Sequence, residues 1–312
     1  MKTNKIIPVL FLSMLYFGAQ AQQDPMYTHY MYNTLSINPA YAGSRDALTV
    51  TALHRSQWVD FQGAPSTQTL TLHSPVGNKH IGLGLAVSND RIGPINNTGL
   101  SGSFAYMIHL NEKSKLALGV SGGVNILQAN LSALELDNQN DVAFQENIRN
   151  RVKPSFGVGI YYSRERFYAG VSVPNLVEND YYSATQTNGI VSVSRQRRHY
   201  FFIAGAVFNL TNNLAFKPTT LVKVAAGAPI QADVTASFII MKRFLLGAMY
   251  RTGDAFGALV GFDISQQFHI GYSYDFSMGL RTAKYNQGSH EVILRYDFIF
   301  NSKKQIHSPR YF

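Results

Sequence analysis

Residues 100–126 read LSGSFAYMIHLNEKSKLALGVSGGVNI and divide into two alternating segments around the charged turn from Asn111 to Lys115. In the first segment, large side chains such as Leu100, Phe104 and Tyr106 share one parity, while small or polar ones occupy the other. This period of two indicates a β-strand. Each segment is about ten residues long, as a tilted strand needs to be to cross a bilayer. A soluble sandwich with its large residues turned inward would show the same pattern, so this hairpin leaves both folds open.

Segments with the same alternation recur along the chain. Phe and Tyr number 20 and 18, Gly numbers 25 and Trp occurs once, a composition that fits outer-membrane strands. The segments number about fourteen, and closed bacterial barrels have an even number of strands. They are 47–55, 67–73, 80–88, 99–110, 116–127, 155–163, 167–174, 199–208, 214–224, 230–240, 243–251, 255–264, 267–276 and 289–300.

The connections between segments distinguish the two folds. Every second connection is short, for example Arg164 to Arg166 and Met241 to Lys242. An outer-membrane barrel has short periplasmic turns and long outer loops, whereas a sandwich has no reason to sort its loops. We therefore predict an all-β fold, a closed antiparallel transmembrane β-barrel of the outer membrane with about 14 strands over residues 47–300 and both termini periplasmic. The connections expected to be long are 56–66, 89–98, 129–154, 175–198 and 277–288, whereas those near 225–229 and 252–254 are short and do not follow the rule.

The first residues have the form of a secretory signal peptide. Lys2 and Lys5 precede an apolar run from Ile6 to Phe17, and Ala19-Gln20-Ala21 has the pattern of a cleavage site, so we assign residues 1–21 to a signal peptide. An uncleaved anchor helix is the alternative, but the run is shorter than the roughly 20 residues that span a bilayer. The chain has no cysteine, which excludes disulfides, thiolate chemistry and a cysteine-linked lipid anchor.

The charge of the chain does not indicate a polyanion partner. The formal net charge is +9, and removal of Lys2 and Lys5 leaves +7. The basic residues are scattered in turns and loops without an interleaved aromatic platform, so we expect no nucleic-acid partner. We expect these basic residues to be solvated or to face the headgroups of outer-membrane lipid at the membrane boundary. No segment beyond the leader is apolar for 18 residues, so we expect no transmembrane helix.

Residues 22–46 precede the first strand and lack a clean period. The Asn38-Pro39 step favours extended and turn conformations. We expect a non-strand segment that packs on the barrel or in its lumen, because its tyrosines are poorly suited to water; a loose periplasmic leader is the alternative. Residues 301–312 form a C-terminal tail of open placement. The residues expected to pack are Tyr27, Tyr30, Tyr32, Pro39 and Tyr41.

No motif for catalysis, metal binding or a cofactor emerges from the sequence. His290-Glu291 lacks the second His of a zinc motif. His54 and His73 lie on adjacent predicted strands, with Ser56 and Ser74 nearby, but nothing in the sequence marks the third polar group that a lipid-hydrolysing Ser–His pair requires. We therefore expect the chain not to be an enzyme and to bind no metal or cofactor.

The first outer connection contains the only tryptophan. Trp58 and Phe61 occur there with Gly63 and Pro65, and aromatic anchors of this kind dominate protein interfaces. We therefore predict a partner-binding site on the outer loops, with a girdle aromatic at the headgroup boundary as the alternative for Trp58. The basic residues assigned to the same outer surface are Arg195, Arg197 and Arg198.

The stretch Arg55 to Thr67, together with Asn38-Pro39-Ala40-Tyr41-Ala42-Gly43, resembles the PorP/SprF family of type IX secretion system outer-membrane proteins. The likeness extends through most of the mature chain. It implies a barrel that acts with type IX translocon components and helps to deliver or retain a secreted cell-surface protein, such as an adhesin of gliding motility. Further matching stretches are 81–85, 89–94, 156–162, 168–176, 198–200, 271–275 and 289–291.

Two noncatalytic functions remain in competition. The first is a barrel that binds a translocated partner at its outer loops, and the second is a general porin for small solutes. A conducting lumen is lined by charged residues, whereas the expected inward face consists of Gly, Ala, Ser and Thr. The sequence therefore favours a packed interior and the partner-binding function.

Overall fold

In the computed structural model, residues 25–77, 79–133, 147–178, 180–185, 191–195, 197–278 and 284–299 are described. The expected signal peptide at 1–21 and tail at 301–312 lie outside these residues. The strands are β1 (Leu48–Ser56), β2 (Ser66–Val76), β3 (Ile81–Ile92), β4 (Ile95–Asn111), β5 (Ser114–Ala129), β6 (Ile148–Arg164), β7 (Phe167–Val173), β8 (Asp180–Thr185), β9 (Val191–Arg195), β10 (His199–Ala206), β11 (Phe208–Asn209), β12 (Leu214–Ala225), β13 (Gln231–Ile240), β14 (Phe244–Arg251), β15 (Ala255–Asp263), β16 (Phe268–Ser277) and β17 (Ser289–Phe298).

Fourteen of these strands close into one antiparallel ring. Each strand pairs with the next along the chain, and the ring closes because β1 also pairs with β17. The β8–β9 hairpin stands apart, so β10 pairs with β7 on one side and with β12 on the other. The short strand β11 continues β10 along the same edge of β12. The predicted barrel is confirmed.

Side-chain direction identifies the outside of the barrel. On β4, Leu100, Phe104 and Tyr106 are 47%, 43% and 49% exposed, while Ser103 and Ala105 between them are buried. Large apolar residues thus face outward and small ones face inward. This is the arrangement of a barrel in lipid, and it is the reverse of a soluble sandwich.

The connections at one end of the barrel are all short, whereas those at the other end range from short to long, and one predicted loop needs correction. The prediction of a long loop at 89–98 is wrong, because the β3–β4 ladder continues to the pair Ile92 and Ile95. Only Gly93 and Pro94 join the strands, and Gly93 has the positive φ of 55° that such a tight turn favours. The alternation of apolar and polar residues is weak at these positions, because the outward residues are polar where β3 and β4 extend beyond the apolar band.

The two ends of the barrel therefore differ. One end, which we call the turn end, carries the connections 77–80, 112–113, 165–166, 210–213, 241–243 and 264–267. The other end, which we call the loop end, carries 57–65, 93–94, 130–147, 174–198, 226–230, 252–254 and 278–288. Among the described residues, no helix is long and apolar enough to cross a membrane.

Candidate functional site

Residues 25–46, which we call the luminal segment, lie inside the barrel. The segment contains two short 3-10 turns, Thr34–Ser36 and Pro39–Tyr41. Tyr30 contacts Thr219 on β12, and the Asn33 amide donates to Thr69 on β2. Asn38 donates to the backbone carbonyl of Ile160 on β6. These strands are spread around the ring, so a segment that reaches all of them fills the lumen.

The five residues expected to pack are all buried in this segment: Tyr27, Tyr30, Tyr32, Pro39 and Tyr41. The hydroxyl of Tyr30 lies 3.0 Å from the hydroxyl of Thr219. The ring of Tyr41 packs edge-on against His73, with ring centroids 5.2 Å apart. The Tyr30 hydroxyl thus has the partner that a buried hydroxyl requires.

Two basic side chains of the wall lie near the ring of Tyr32. Lys217 Nζ is 4.4 Å from its ring centroid, and the guanidinium carbon of Arg295 is 5.1 Å from it. Burial raises the pKa of Tyr32 to about 12, so the phenol is neutral at physiological pH. Its ring provides the negative face that attracts these buried cations.

Glu291 holds the start of the luminal segment. Its two carboxylate oxygens accept the backbone N–H groups of Thr28 at 2.9 Å and of His29 at 2.7 Å. The ring of His29 lies 2.8 Å from the same carboxylate. Arg55 completes the group, with its guanidinium 3.2 Å from Glu291 and 2.8 Å from Asp275. All these side chains are buried, so the contacts act in a low-dielectric site.

Two further ion pairs brace the wall and the segment. Arg251 donates to both carboxylate oxygens of Asp233 at 2.8 to 3.1 Å. Arg45 likewise donates to both oxygens of Asp297, at 3.2 and 2.8 Å, and so ties the end of the luminal segment to β17. Bidentate pairs of this geometry fix orientation as well as charge.

The luminal segment leaves the barrel at the turn end, next to Asp46. Lys79 and Lys115 lie 3.1 and 3.5 Å from this carboxylate. Burial alone would raise the pKa of Asp46, but Lys115 and Lys79 outweigh it and hold this pKa below its usual value. Asp46 is therefore ionised and joins the turn 77–80 and the start of β5 to the chain entering β1.

Glycines in the wall make room for the 3-10 turn at Pro39. A Cβ on Gly119 would lie 2.2 Å from the backbone nitrogen of Ala40. One on Gly82 would lie 2.0 Å from the carbonyl oxygen of Ala42. Side chains cannot approach backbone this closely, so the small inward residues of β3 and β5 shape the wall to the segment.

The expectation that only small residues face inward is correct for β2 to β5 over most of their length and wrong for β1, β12, β13, β14, β16 and β17. Those strands bring charged side chains into the lumen, where the luminal segment and other wall residues pair with most of them. Alternation fixed the parity of these positions but could not show which distant residue each one meets. The buried inward charges are Arg55, Lys217, Lys223, Asp233, Arg251, Asp275, Glu291, Arg295 and Asp297.

A cavity of about 150 Å³ lies between the luminal segment and the wall. Tyr27, Leu35 and Pro39 border it from the segment. Its wall side is rich in hydroxyl and amide groups, which can hydrogen-bond a polar guest such as a peptide backbone. The polar wall residues are Thr67, Thr69, Thr71, Ser88, Asp90, Asn97, Ser101, Ser103, Ser121, Asn125, Ser155 and Asn175.

The predicted aromatic loop lies at the loop end and is fastened on both sides. Trp58 is half-buried, with a positive φ of 50°, and its backbone N–H donates to Ser289. On the other side, the carbonyl of Gly63 accepts from the backbone N–H of Gly93 at 2.9 Å. Phe61 packs edge-on against Trp58 and is 47% exposed. Pro65 accepts a backbone hydrogen bond from Gln57 at the base of the loop.

The predicted arginines lie in another part of the loop end. Arg195 is on β9, and Arg197 and Arg198 lead into β10. Arg198 donates from Nε to the carbonyl of Leu176 at 2.9 Å, so it ties its own connection together. Five strands, β3 to β7, separate β10 from β2 in the ring, so Arg197 and Arg198 are not next to the loop that carries Trp58.

Comparison with known proteins gives a family and a set of similar folds. Residues 19–296 match the family described as "Type IX secretion system membrane protein PorP/SprF". No curated protein matches the chain.

Three solved structures illustrate the similarity. The outer membrane protein Omp33 of Acinetobacter baumannii is 10% identical, with 82% of this chain and 100% of that chain covered and a TM-score of 0.46. The CymD monoaromatic hydrocarbon channel is 10% identical, with 90% and 96% covered and a TM-score of 0.47. A FadL homologue of Pseudomonas aeruginosa is 13% identical, with 85% and 94% covered and a TM-score of 0.46.

Proposed function

Because the chain belongs to the PorP/SprF family of type IX secretion system membrane proteins, we propose that it is an outer-membrane component that binds a secreted protein at its loop end. In this role the barrel assists secretion or surface attachment of a partner such as a gliding-motility adhesin. The role requires no catalytic step in this chain. The translocon components of the system are its second class of partner.

The observation that carries this proposal is the filled lumen. The luminal segment reaches β2, β6 and β12 across the interior, and buried ion pairs fasten it at Glu291 and Asp297. A general porin needs a continuous water-filled path, which this segment occupies. We therefore prefer a binding role to passive diffusion of small solutes.

Two features of the loop end support a polypeptide as the guest. Phe61 is exposed on a loop whose backbone is already fastened to Gly93 and Gly288. A loop ordered in advance loses less entropy on capture. The cavity between the luminal segment and the wall offers hydroxyl and amide groups, which can satisfy the backbone of an extended chain.

A site-specific cross-linking experiment tests the proposal. A photoreactive amino acid replaces Phe61 in the full chain, expressed in cells that secrete through the type IX system, and a matched variant carries it at Phe208, which is exposed near the turn end. We expect Phe61 to cross-link to a secreted protein and Phe208 not to do so. Equal cross-linking at both positions, or none at Phe61, contradicts binding at the loop end.

A further inference from the structure

The outward face of β1 carries a histidine and a serine in contact. His54 Nε2 lies 3.0 Å from Ser56 Oγ, and the two residues share the outward parity of the strand. Gln68 is directly opposite His54 in the β1–β2 register, and its side-chain amide lies 3.2 Å from His54 Nδ1. Gln68, His54 and Ser56 thus form a hydrogen-bonded chain on the outside of the barrel wall.

These residues lie where the apolar band of the wall ends. The next outward pair toward the turn end is Ala52 with Leu70, and Leu70 is one of the exposed apolar residues of the wall. The residue after Ser56 already belongs to the loop 57–65. In a bilayer, this boundary between hydrocarbon and headgroups is the level of the ester bonds that join acyl chains to glycerol.

We propose that Ser56, His54 and Gln68 form an acyl hydrolase site for the ester bonds of membrane phospholipids, in addition to the secretion role. Ser56 is the nucleophile, His54 the general base and Gln68 the positioning residue for the imidazole. This is the logic of a serine hydrolase triad, which is recognised by geometry and not by fold.

The amide of Gln68 fits this assignment in one of its two orientations. As placed, its nitrogen donates to His54 Nδ1 and, at 2.9 Å, to the hydroxyl of Ser66. Rotation of the amide by half a turn exchanges its oxygen and nitrogen. The oxygen then accepts from His54 Nδ1–H and from Ser66, whose hydroxyl can donate or accept. In that orientation His54 Nε2 is unprotonated and faces the Ser56 hydroxyl as a base.

His290 supplies a donor for the oxyanion. It is the register partner of Ser56 on β17 and shares its outward parity. His290 Nδ1 lies 2.6 Å from the hydroxyl of Tyr272. When Tyr272 donates this bond, a neutral His290 carries its proton on Nε2, which is then available to the negative oxygen of a tetrahedral intermediate beside Ser56.

The reaction balances with water as the only co-reactant. Ser56 Oγ attacks the ester carbonyl carbon while its proton passes to His54 Nε2. The bond to the lipid alkoxide breaks, and the alkoxide takes that proton and leaves as a lysophospholipid. Water then attacks the acyl-serine, gives one proton to His54 and releases the fatty acid, and the Ser56 oxygen recovers the proton from His54.

The sequence expectation of no catalysis depended on the missing third group. The pairing of β1 with β2 supplies that group, because this register places Gln68 opposite His54.

The other Ser–His pair points to opposite faces of the wall. His73 is buried on the inward face, where it accepts a hydrogen bond from the backbone N–H of Gly43. Ser74 faces outward and its hydroxyl donates to the backbone of Pro75. Ser74 therefore serves as a matched control.

The first test measures fatty-acid release from dioctanoyl phosphatidylcholine in mixed micelles by the full mature chain. We expect hydrolysis by the wild type, a loss of about a hundredfold or more in Ser56→Ala and in His54→Ala, and a wild-type rate in Ser74→Ala. Slower migration after boiling shows that each variant is a folded barrel. Absence of hydrolysis in the wild type, or an unchanged rate in Ser56→Ala, overturns the proposal.

Two further measurements test the roles of single residues. A fluorophosphonate probe should modify the wild type at Ser56, located by mass spectrometry of the digested protein, and modification only at another serine overturns the assignment. Gln68→Glu should retain activity while the rising limb of the pH–rate profile moves to higher pH, because a carboxylate at this position raises the pKa of its histidine partner. A purely structural glutamine would leave the profile in place, and that result removes Gln68 from the site.

Discussion

Glu291 Oε2 accepts a hydrogen bond from the backbone N–H of Thr28 at 2.9 Å, although the two residues are 263 positions apart in the chain. The same carboxylate pairs with Arg55, which faces it from β1. One buried group therefore both fastens the luminal segment and neutralises a charge of the wall. This coupling predicts that the segment, and not the barrel, responds when the carboxylate is altered.

We expect Glu291→Gln to release the luminal segment from a barrel that still forms. Removing one partner of a buried ion pair costs about 3–5 kcal/mol, while the backbone ladder of β17 is unaffected. The chain has no native cysteine, so a single cysteine in place of buried Thr34 reports on the segment. Its labelling by a water-soluble maleimide should be slow in the parent and at least tenfold faster in Glu291→Gln.

Glu112→Gln is the matched control, because Glu112 is an exposed carboxylate in a short turn at the turn end. We expect it to leave the labelling rate of Thr34→Cys unchanged. Equal labelling rates in the parent and in Glu291→Gln would show that Glu291 does not hold the segment.

The filled lumen predicts electrical silence. We expect the wild type to show no steady large conductance in a planar bilayer, because the luminal segment occupies the interior from β2 to β12. Deletion of residues 25–43 should produce stable open channels, since the inward charges of β12 to β17 are then hydrated. Steady conductance in the wild type would favour the porin function instead.

The fold could be predicted from the sequence because lipid imposes a strong signal on each strand. Leu100, Phe104 and Tyr106 are large and face outward, and their neighbours are small, so period two is plain wherever the strand lies in the apolar band. It fades where β3 and β4 extend beyond that band, so the sequence predicts a long loop where the structure has a tight turn at Gly93. A local pattern cannot reveal a ladder that carries polar residues on both faces.

The site was harder to predict because its contacts are long-range. The composition of residues 22–46 indicates that their tyrosines pack against the barrel, but it does not indicate which wall residues the tyrosines contact. Arg55, Asp275 and Glu291 look like ordinary scattered charges until the ring closes and brings β1, β16 and β17 side by side. The parity of each charge was available from the sequence, and that signal could have placed all three in the lumen without identifying which residues pair.

Gly119 provides a test of the fit between wall and segment. We expect Gly119→Ala to lower the temperature at which the SDS-resistant band disappears, because its Cβ would lie 2.2 Å from Ala40 N, and overpacking of this kind costs about 1–3 kcal/mol. Gly102→Ala is the matched control, since Gly102 faces outward and the nearest atom to its Cβ is 4.0 Å away. Equal temperatures for the two variants would contradict tight packing at Pro39.

The two ends of the barrel predict the result of a topology experiment. We expect an epitope tag inserted in the 130–147 connection to be detected on intact cells, because long loops face outward in outer-membrane barrels. A tag between Glu112 and Lys113, in a turn at the other end, should be detected only after the cells are lysed. The opposite pattern would invert the orientation and place Trp58 in the periplasm.

Trp58 and Phe61 separate the role of an interface anchor from that of a membrane girdle. Trp58 adopts a positive φ of 50°, a conformation that is costly for a bulky residue and therefore suggests a functional constraint. A girdle residue contributes to insertion, so its loss would reduce the amount of folded barrel. An interface anchor typically contributes about 2 kcal/mol or more, roughly thirtyfold in affinity.

We therefore expect Trp58→Ala and Phe61→Ala to leave heat-modifiable barrel at near-normal abundance and to deplete the secreted partner from the cell surface, measured by surface proteomics of matched cultures. Phe61 should have the larger effect, because it is exposed whereas Trp58 is half-buried and packs edge-on against it with ring centroids 6.4 Å apart. Phe208→Ala removes an exposed aromatic near the turn end and should change neither quantity. Normal display of the partner in both loop variants would remove the anchor role, and loss of folded barrel in Trp58→Ala alone would assign that residue to the girdle.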